Sequence, residues 1–334
     1  MSNPVLVEVL RGDIVESRHR GAIAVFDADG KAVLEIGDTM RPTFPRSAVK
    51  SIQALPLVET GAADAYGFGD KELALSCASH DGEAGHVELA RAMLAKAGLD
   101  EQALECGTHW PSSQKATIEL ARSGGTANAL HNNCSGKHSG FLCACCHAGI
   151  EHRGYVKAGH RYQEMLCEAL ENVTGAAHSA DNRAIDGCSI PTYAVPLRNL
   201  AHGFARMATG VGLGEERAKA ARRLFAACMA EPFHVGGSES FDTLLMGRAP
   251  GRLFVKVGAE GVYCAAVPEL GLGIALKCDD GAFRAAEVMV ATVMAKLVAG
   301  DETLTGILRE FMNPVLTNRN GMVVGGLRPT AALA

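Results

Sequence analysis

The chain has 334 residues, and 48% of them are hydrophobic, enough to bury a large core. Its net charge of −5 comes with lysines and arginines spread along the chain, so there is no basic stripe and nucleic acid is not an expected partner. No apolar run approaches a membrane span, because the longest, Met289–Leu297, is interrupted by Thr292 and Lys296.

The first forty residues read as β structure. Val5–Leu10 is short and apolar, and Gly21–Phe26 and Ala32–Ile36 flank the turn Asp27-Ala28-Asp29-Gly30. From Ser47 to about Met229 the pattern is helical. The expected helices are Ser47–Thr60, Lys71–Ala74, Glu83–Ala97, Lys115–Arg122, Ser139–Ala148, Gly159–Thr174, Tyr193–Ala208 and Glu215–Met229. Strands return at Arg252–Val257, Gly261–Val267 and Leu272–Lys277, followed by a helix over Gly281–Ala299 and a last strand at Gly321–Gly325. Strands at both ends with helices between them predict an α+β chain whose antiparallel sheet is assembled from both termini. A C-terminal helix packs on that sheet, and a large all-helical lobe is inserted. A single domain is expected, with the sheet part at about 1–46 and 236–334 and the helical part at about 47–235.

Eleven cysteines are an odd and high count. The opening residues Met1–Glu8 have neither a basic nor an apolar export region, so a cytoplasmic location with reduced, mostly buried thiols is expected.

Chemistry first shows at Arg46-Ser47-Ala48-Val49-Lys50, just after Pro45. A serine and a lysine three residues apart share one helix face, and a deprotonated lysine can activate the hydroxyl. Ser-x-x-Lys is the nucleophile signature of serine β-lactamases and penicillin-binding proteins. A second copy, Ser112–Lys115, shows how readily the bare pattern recurs, and the bland reading of either is a capping serine beside a solvated lysine. Position separates them. Ser47 follows the first strands directly, as in the β-lactamase layout, whereas Ser112 lies deep in the helical part. Lys256-Val257-Gly258 ends the first late strand, where that fold carries Lys-Thr/Ser-Gly, with Val257 in place of the hydroxyl.

Two polar, glycine-containing loops hold thiols: His131–Gly140 around Cys134, and Ile185–Pro191 around Cys188. His138, Lys137 and Asp186 lie beside them. Two thiolates, a nitrogen and a water would suit Zn²⁺, although no Cys-x-x-Cys joins the two thiols.

In chain order the motifs are Pro45–Gln53, Ser76-Cys77-Ala78-Ser79-His80, Cys106–Pro111, Asn133–His138, Asp186-Gly187-Cys188 and Lys256–Gly258. Together, over about Val5 to Val298, they resemble the Rhizobium etli-type (class 3) L-asparaginases. The resemblance implies a serine β-lactamase-like fold, a homodimer, and hydrolysis of L-asparagine to L-aspartate and ammonia. It implies Ser47 as nucleophile with Lys50 as base, Ser79 and Lys256 as a second Ser–Lys pair, and Cys134, Lys137 and Cys188 as zinc ligands. Asp186 would orient the ligand lysine, His138 would line the pocket, and Arg46 is a candidate for the substrate α-carboxylate. For Lys50 to act as a base, burial and nearby positive charge must lower its pKa. Two other readings stand beside this one: another serine acyl-transfer hydrolase of the same fold, and a non-catalytic zinc-binding metabolite sensor.

Overall fold

The structure is a computed structural model describing residues 2–333. Its centre is an eight-stranded antiparallel sheet drawn from both ends of the chain. The strands are β1 (Val5–Arg11), β2 (Ile14–Asp27), β3 (Ala32–Ile36), β4 (Phe254–Gly258), β5 (Val262–Val267), β6 (Leu272–Cys278), β7 (Val315–Thr317) and β8 (Val323–Pro329). Their order is β7-β8-β1-β2-β6-β5-β4, with β3 alongside β2.

The long strand β2 joins two halves of this sheet. Its first part pairs with β1, Arg20 opposite Val5, and its second part pairs with β6, Gly21 opposite Cys278. The sequence announced only the second part, because Gly21–Phe26 is wholly buried, while Glu16, Arg18 and Arg20 face outward in the first. Gly21 is needed at the junction: a Cβ there would lie 2.6 Å from the Lys277 carbonyl oxygen.

Helices cover both faces. The helix Leu197–Thr209 lies on β2, β5 and β6, so close that a Cβ on Gly273 would sit 2.1 Å from the Ala201 carbonyl oxygen. The helix Phe283–Leu297 packs against β5, β6 and β8. The Gly21–Cys278 pair meets it through Met289, and positions 273 and 278 differ by an odd number, so the two helices lie on opposite faces.

Several elements differ from the expectation, each for a local reason. The segment Ser47–Thr60 is not one helix. It breaks into a 3₁₀ turn Arg46–Val49 and short helices Lys50–Gln53 and Leu55–Glu59, where Pro56 has no N–H to continue the ladder. The helix expected from Tyr193 starts at Leu197, because Val195–Pro196 pairs with Pro42–Thr43 as a two-stranded sheet. The short hairpin Arg183–Ile185 with Pro191–Tyr193 was not foreseen, nor were the helices Pro232–Gly236, Phe241–Arg248 and Glu302–Met312. The last strand runs four residues past Gly325, through Leu327 to Pro329, and its partner β7 has no counterpart in the expectation. Among the described residues no helix is long and apolar enough to cross a membrane.

One buried carboxyl carries a stability consequence. On the helix Phe283–Leu297, burial and the nearby charge of Asp242 push Glu287 up to about 7. An acid whose folded pKa is raised contributes stability that is complete below its ordinary value and is lost as pH rises through 7. Glu287→Gln is expected to stabilise the protein at pH 8, by on the order of 1–2 kcal/mol, but not at pH 5. Urea unfolding at the two pH values checks this; equal effects at both would show that Glu287 titrates normally.

Candidate active site

The chain leaves β3, passes Pro42–Thr43 and enters the turn Arg46–Val49. Ala48 N–H donates to the Pro45 carbonyl at 3.0 Å, and Arg46 has a φ of 52°, the left-handed region that non-glycine residues rarely occupy. The turn is pinned from the side by β4. A Cβ on Gly258 would lie 2.3 Å from the Pro45 oxygen and 3.2 Å from the Ala48 nitrogen. Ser47 therefore stands, partly exposed, on a turn wedged against the strand that carries Lys256.

Lys50 follows directly and is 1% exposed. Its Nζ lies 2.5 Å from the Ala78 oxygen, 2.9 Å from Ser79 Oγ and 3.2 Å from Cys134 Sγ. Burial lowers the Lys50 pKa, the charges of Lys137 and Lys256 lower it further, and the Cys134 thiolate opposes them. As a neutral amine Lys50 would have one lone pair. Of its oxygen neighbours only the Ser79 hydroxyl has a proton to give to it.

Lys137 sits in the first turn of the helix Ser135–His147, which begins four residues before the expected Ser139. Two glycines permit this. Cβ atoms on Gly136 and Gly140 would come within 2.4 Å of the Leu75 oxygen and 2.8 Å of Ser76 Oγ. Lys137 Nζ donates to Cys188 Sγ at 3.2 Å and lies 5.5 Å from the centre of the Phe141 ring. Burial alone would lower its pKa, but the neighbouring sulfurs of Cys188 and Cys134 outweigh it and the pKa is raised.

The two thiols are free and buried, and each shifts the other's titration. Cys134 is held well below the ordinary thiol range by the bond from Cys188 and by Lys50 and Lys137, against the effect of burial. Cys188 is raised by Cys134 and by burial. Positions 134, 137 and 188 are thus brought together.

Asp186 closes this group. Arg46 Nε and Nη2 each reach Asp186 Oδ1 at 2.6 Å, and Gly187 N–H donates to the same oxygen. Burial works against ionisation of Asp186, and Lys137 and Arg46 outweigh it, so the pKa lies below the usual carboxylate range. The Arg46 guanidinium is therefore engaged by a carboxylate of the protein itself.

Lys256 is fully buried and does not bond Ser79. It donates to the Val257 oxygen at 3.1 Å and lies 3.5 Å from Asp242, whose other oxygen has no partner. His138 is also fully buried. Its Nδ1 lies 2.7 Å from the Tyr155 hydroxyl, its Nε2 has no partner, and burial holds its pKa well below the ordinary value, so it is neutral.

Motif residues without an assigned role turn out to hold the loops. Gly82 N–H donates to His80 Nδ1, so His80 carries its proton at Nε2 and donates it to Ser135 Oγ at 2.9 Å. His80 N–H reaches the Asn133 oxygen, and the His80 ring stacks on His86, which stacks on Phe233. Asn132 accepts the Cys134 N–H and donates to the oxygens of Cys106 and Gly107, while His109 Nε2 accepts the Asn133 N–H. The Cys106–His109 segment thus braces the Cys134 loop.

The half-buried Ser79 and the buried Lys50 thus form a hydrogen-bonded pair beside Cys134. A model of the L-asparaginase II family matches residues 7–329. The chain belongs to this L-asparaginase II family. It is thus an amidohydrolase acting on asparagine. No curated protein matches. Among solved structures the chain is similar to a β-lactamase from Mycobacterium bovis, at 14% identity, covering 87% of this chain and 95% of that one, with a TM-score of 0.32.

The packing of Gly258 makes a test. Gly258→Ala forces the Pro45–Ala48 turn aside, and a displacement of that size at a reacting group costs on the order of 10²-fold in rate. The expected result is such a loss in kcat/KM with a smaller loss of stability, read by ammonia release and by thermal melting. Unchanged kinetics would show that the turn does not position the reaction.

Proposed function

We propose that this L-asparaginase works through a Ser–Lys mechanism beside a zinc site. The observation that carries the reading is the hydrogen bond from the buried, pKa-lowered Lys50 to Ser79, in the same cluster as the thiols. Ser47 attacks the side-chain amide carbon of L-asparagine, and its proton passes through the Ser79 hydroxyl to Lys50. Lys256, 3.5 Å from Asp242, supplies part of the positive field that lowers the Lys50 pKa. The returning proton goes to ammonia, and water then cleaves the β-aspartyl ester at Ser47. Arg46 and Asp186 act together: their ion pair fixes the wall of the pocket and leaves guanidinium donors for the substrate carboxylate.

The donor set fits Zn²⁺. Two buried thiols, that of Cys134 held well below the ordinary range, and the Lys137 nitrogen 3.2 Å from Cys188 Sγ would form an S₂N group once Cys188 and Lys137 give up their protons, and it would close with one further ligand. Cys134, Cys188 and Lys137 would hold the ion, with Asp186 orienting Lys137. A bound ion supplies Lewis-acid charge to the pocket. The protein acts as a homodimer in the cytoplasm in this reading, as the class 3 resemblance implies.

Two experiments test it. Ser47→Ala is expected to abolish ammonia release from L-asparagine with fold and metal content intact, and Ser79→Ala to lower kcat by about 10²–10⁴. A dead Ser79→Ala beside an active Ser47→Ala would make Ser79 the nucleophile.

Cys134→Ser or Cys188→Ser is expected to lower zinc content and raise KM with little change in melting temperature. Elemental analysis finding no zinc in wild-type protein purified without chelator would remove the metal from the mechanism.

A further inference from the structure

A second group of metal-ligand side chains lies at the end of β6, sharing no residue with the Cys134–Cys188 cluster. His19 on β2, Cys278 at the end of β6 and Asp280 in the turn after it place one ligand atom each within 4.8 Å of one another. His19 Nδ1 lies 2.6 Å from Asp280 Oδ2, and Cys278 Sγ lies 3.0 Å from Asp280 Oδ1. His19 and Cys278 are buried, at 5% and 0% exposure, while the Asp280 side chain is 49% exposed. The group therefore opens to solvent on one side only.

The frame is rigid. The Cys278 N–H donates to the Gly261 oxygen at 2.8 Å and the Asp279 N–H to the Arg20 oxygen at 2.9 Å, which ties the turn to both β2 and β5. Asp280 Oδ1 also accepts the Ala282 N–H at 3.1 Å, at the start of the helix Phe283–Leu297. Further negative charge is close. Asp279 follows Cys278, and a Glu260 carboxylate oxygen would lie 2.8 Å from a Cβ on Gly281.

A second, independent observation concerns the ring. His19 Nε2 is buried and has no hydrogen-bond partner, so the only polar contact of this imidazole is with the cluster.

We propose that His19, Cys278 and Asp280 form a second cation site, for a borderline-soft divalent ion of the Zn²⁺ class. One nitrogen, one sulfur and one carboxylate oxygen are a three-ligand zinc set with the remaining position left to water. Bonds of about 2.0–2.3 Å to a tetrahedral ion set ligand atoms roughly 3.3–3.7 Å apart. The two contacts to Asp280, at 2.6 and 3.0 Å, would lengthen to that spacing, and the His19–Cys278 pair lies within 4.8 Å. Binding balances simply. The Cys278 thiol proton leaves to solvent, the imidazole proton moves from Nδ1 to Nε2, and the Nδ1 lone pair, the thiolate and the carboxylate take the ion. A hard ion such as Mg²⁺ has too few oxygens here to be held.

Cobalt reads the site directly, because a thiolate–Co²⁺ bond absorbs in the near ultraviolet. The probe is Co²⁺ alone, titrated into the full chain after metal removal. Cys134→Ser/Cys188→Ser protein is expected to bind one Co²⁺ with a thiolate band, and adding Cys278→Ser or His19→Ala to abolish both band and binding. Asp280→Asn, which keeps the carbonyl oxygen that caps Ala282, is expected to weaken binding at least tenfold with the fold retained. If Cys134→Ser/Cys188→Ser protein binds no Co²⁺ at saturating micromolar concentration, or if binding survives Asp280→Asn and Cys278→Ser unchanged, the proposal is overturned. This readout does not use catalysis, so it stands or falls apart from the zinc reading of the active site.

Discussion

Three lysines with almost no access to solvent, Lys50, Lys137 and Lys256, share one region of the protein and set the conditions for the rest. An uncompensated buried ammonium costs several kcal/mol, so each must be neutralised, paired or deprotonated. Each finds a different answer. Lys137 is held charged by the sulfur pair, Lys256 faces the buried Asp242, and Lys50, opposed by the other two, is the one driven toward its neutral form. Repulsion among like charges thus sorts three chemically identical side chains into separate tasks. Because they come from two helices and a strand, the same charges also lock those elements together.

The site depends on close backbone approach as much as on charge. Gly258 lets β4 touch the Ser47 turn, and Gly136 and Gly140 let the Lys137 helix start under Leu75 and Ser76. A side chain at any of the three would displace the Ser47 turn or the start of the Lys137 helix. The polar braces do the complementary work. Neutral His80 and Asn132 stitch the Ser79 and Cys134 loops with bonds that need no charge.

Much of this was legible in the chain because strands and motifs fall in a telling order. Strands at both ends gave the sheet, and the place of Ser47 just after the first strands separated it from Ser112. The two thiol loops were visible as polar islands, but the partnership of Lys137 with Cys188 was not, since nothing in spacing alone recommends a lysine there. What was missed was mostly exposed or interrupted. The first half of β2 alternates charged residues outward, and the strand Arg183–Ile185 is fully exposed, so neither shows an apolar run. The helix Glu302–Met312 was readable and overlooked. Asp301 caps it, and Leu304 and Leu308 recur four apart on its buried face. The Lys50–Ser79 bond was beyond reach, because it joins residues 29 apart through a fold that only tertiary packing defines.

The joining of the two chain ends also governs how this molecule comes into being. β1 is paired on one side by β8, and Thr330 bonds to Val5 across 325 positions of sequence. Contacts so distant demand that the longest possible loop be closed before they return any stabilisation, which makes them slow to form. During synthesis the first strands must therefore wait, with one edge unpaired, until nearly the whole chain has emerged. In that interval the edge is open to strands of other chains, so the newborn protein is at its most aggregation-prone just before its last strand arrives.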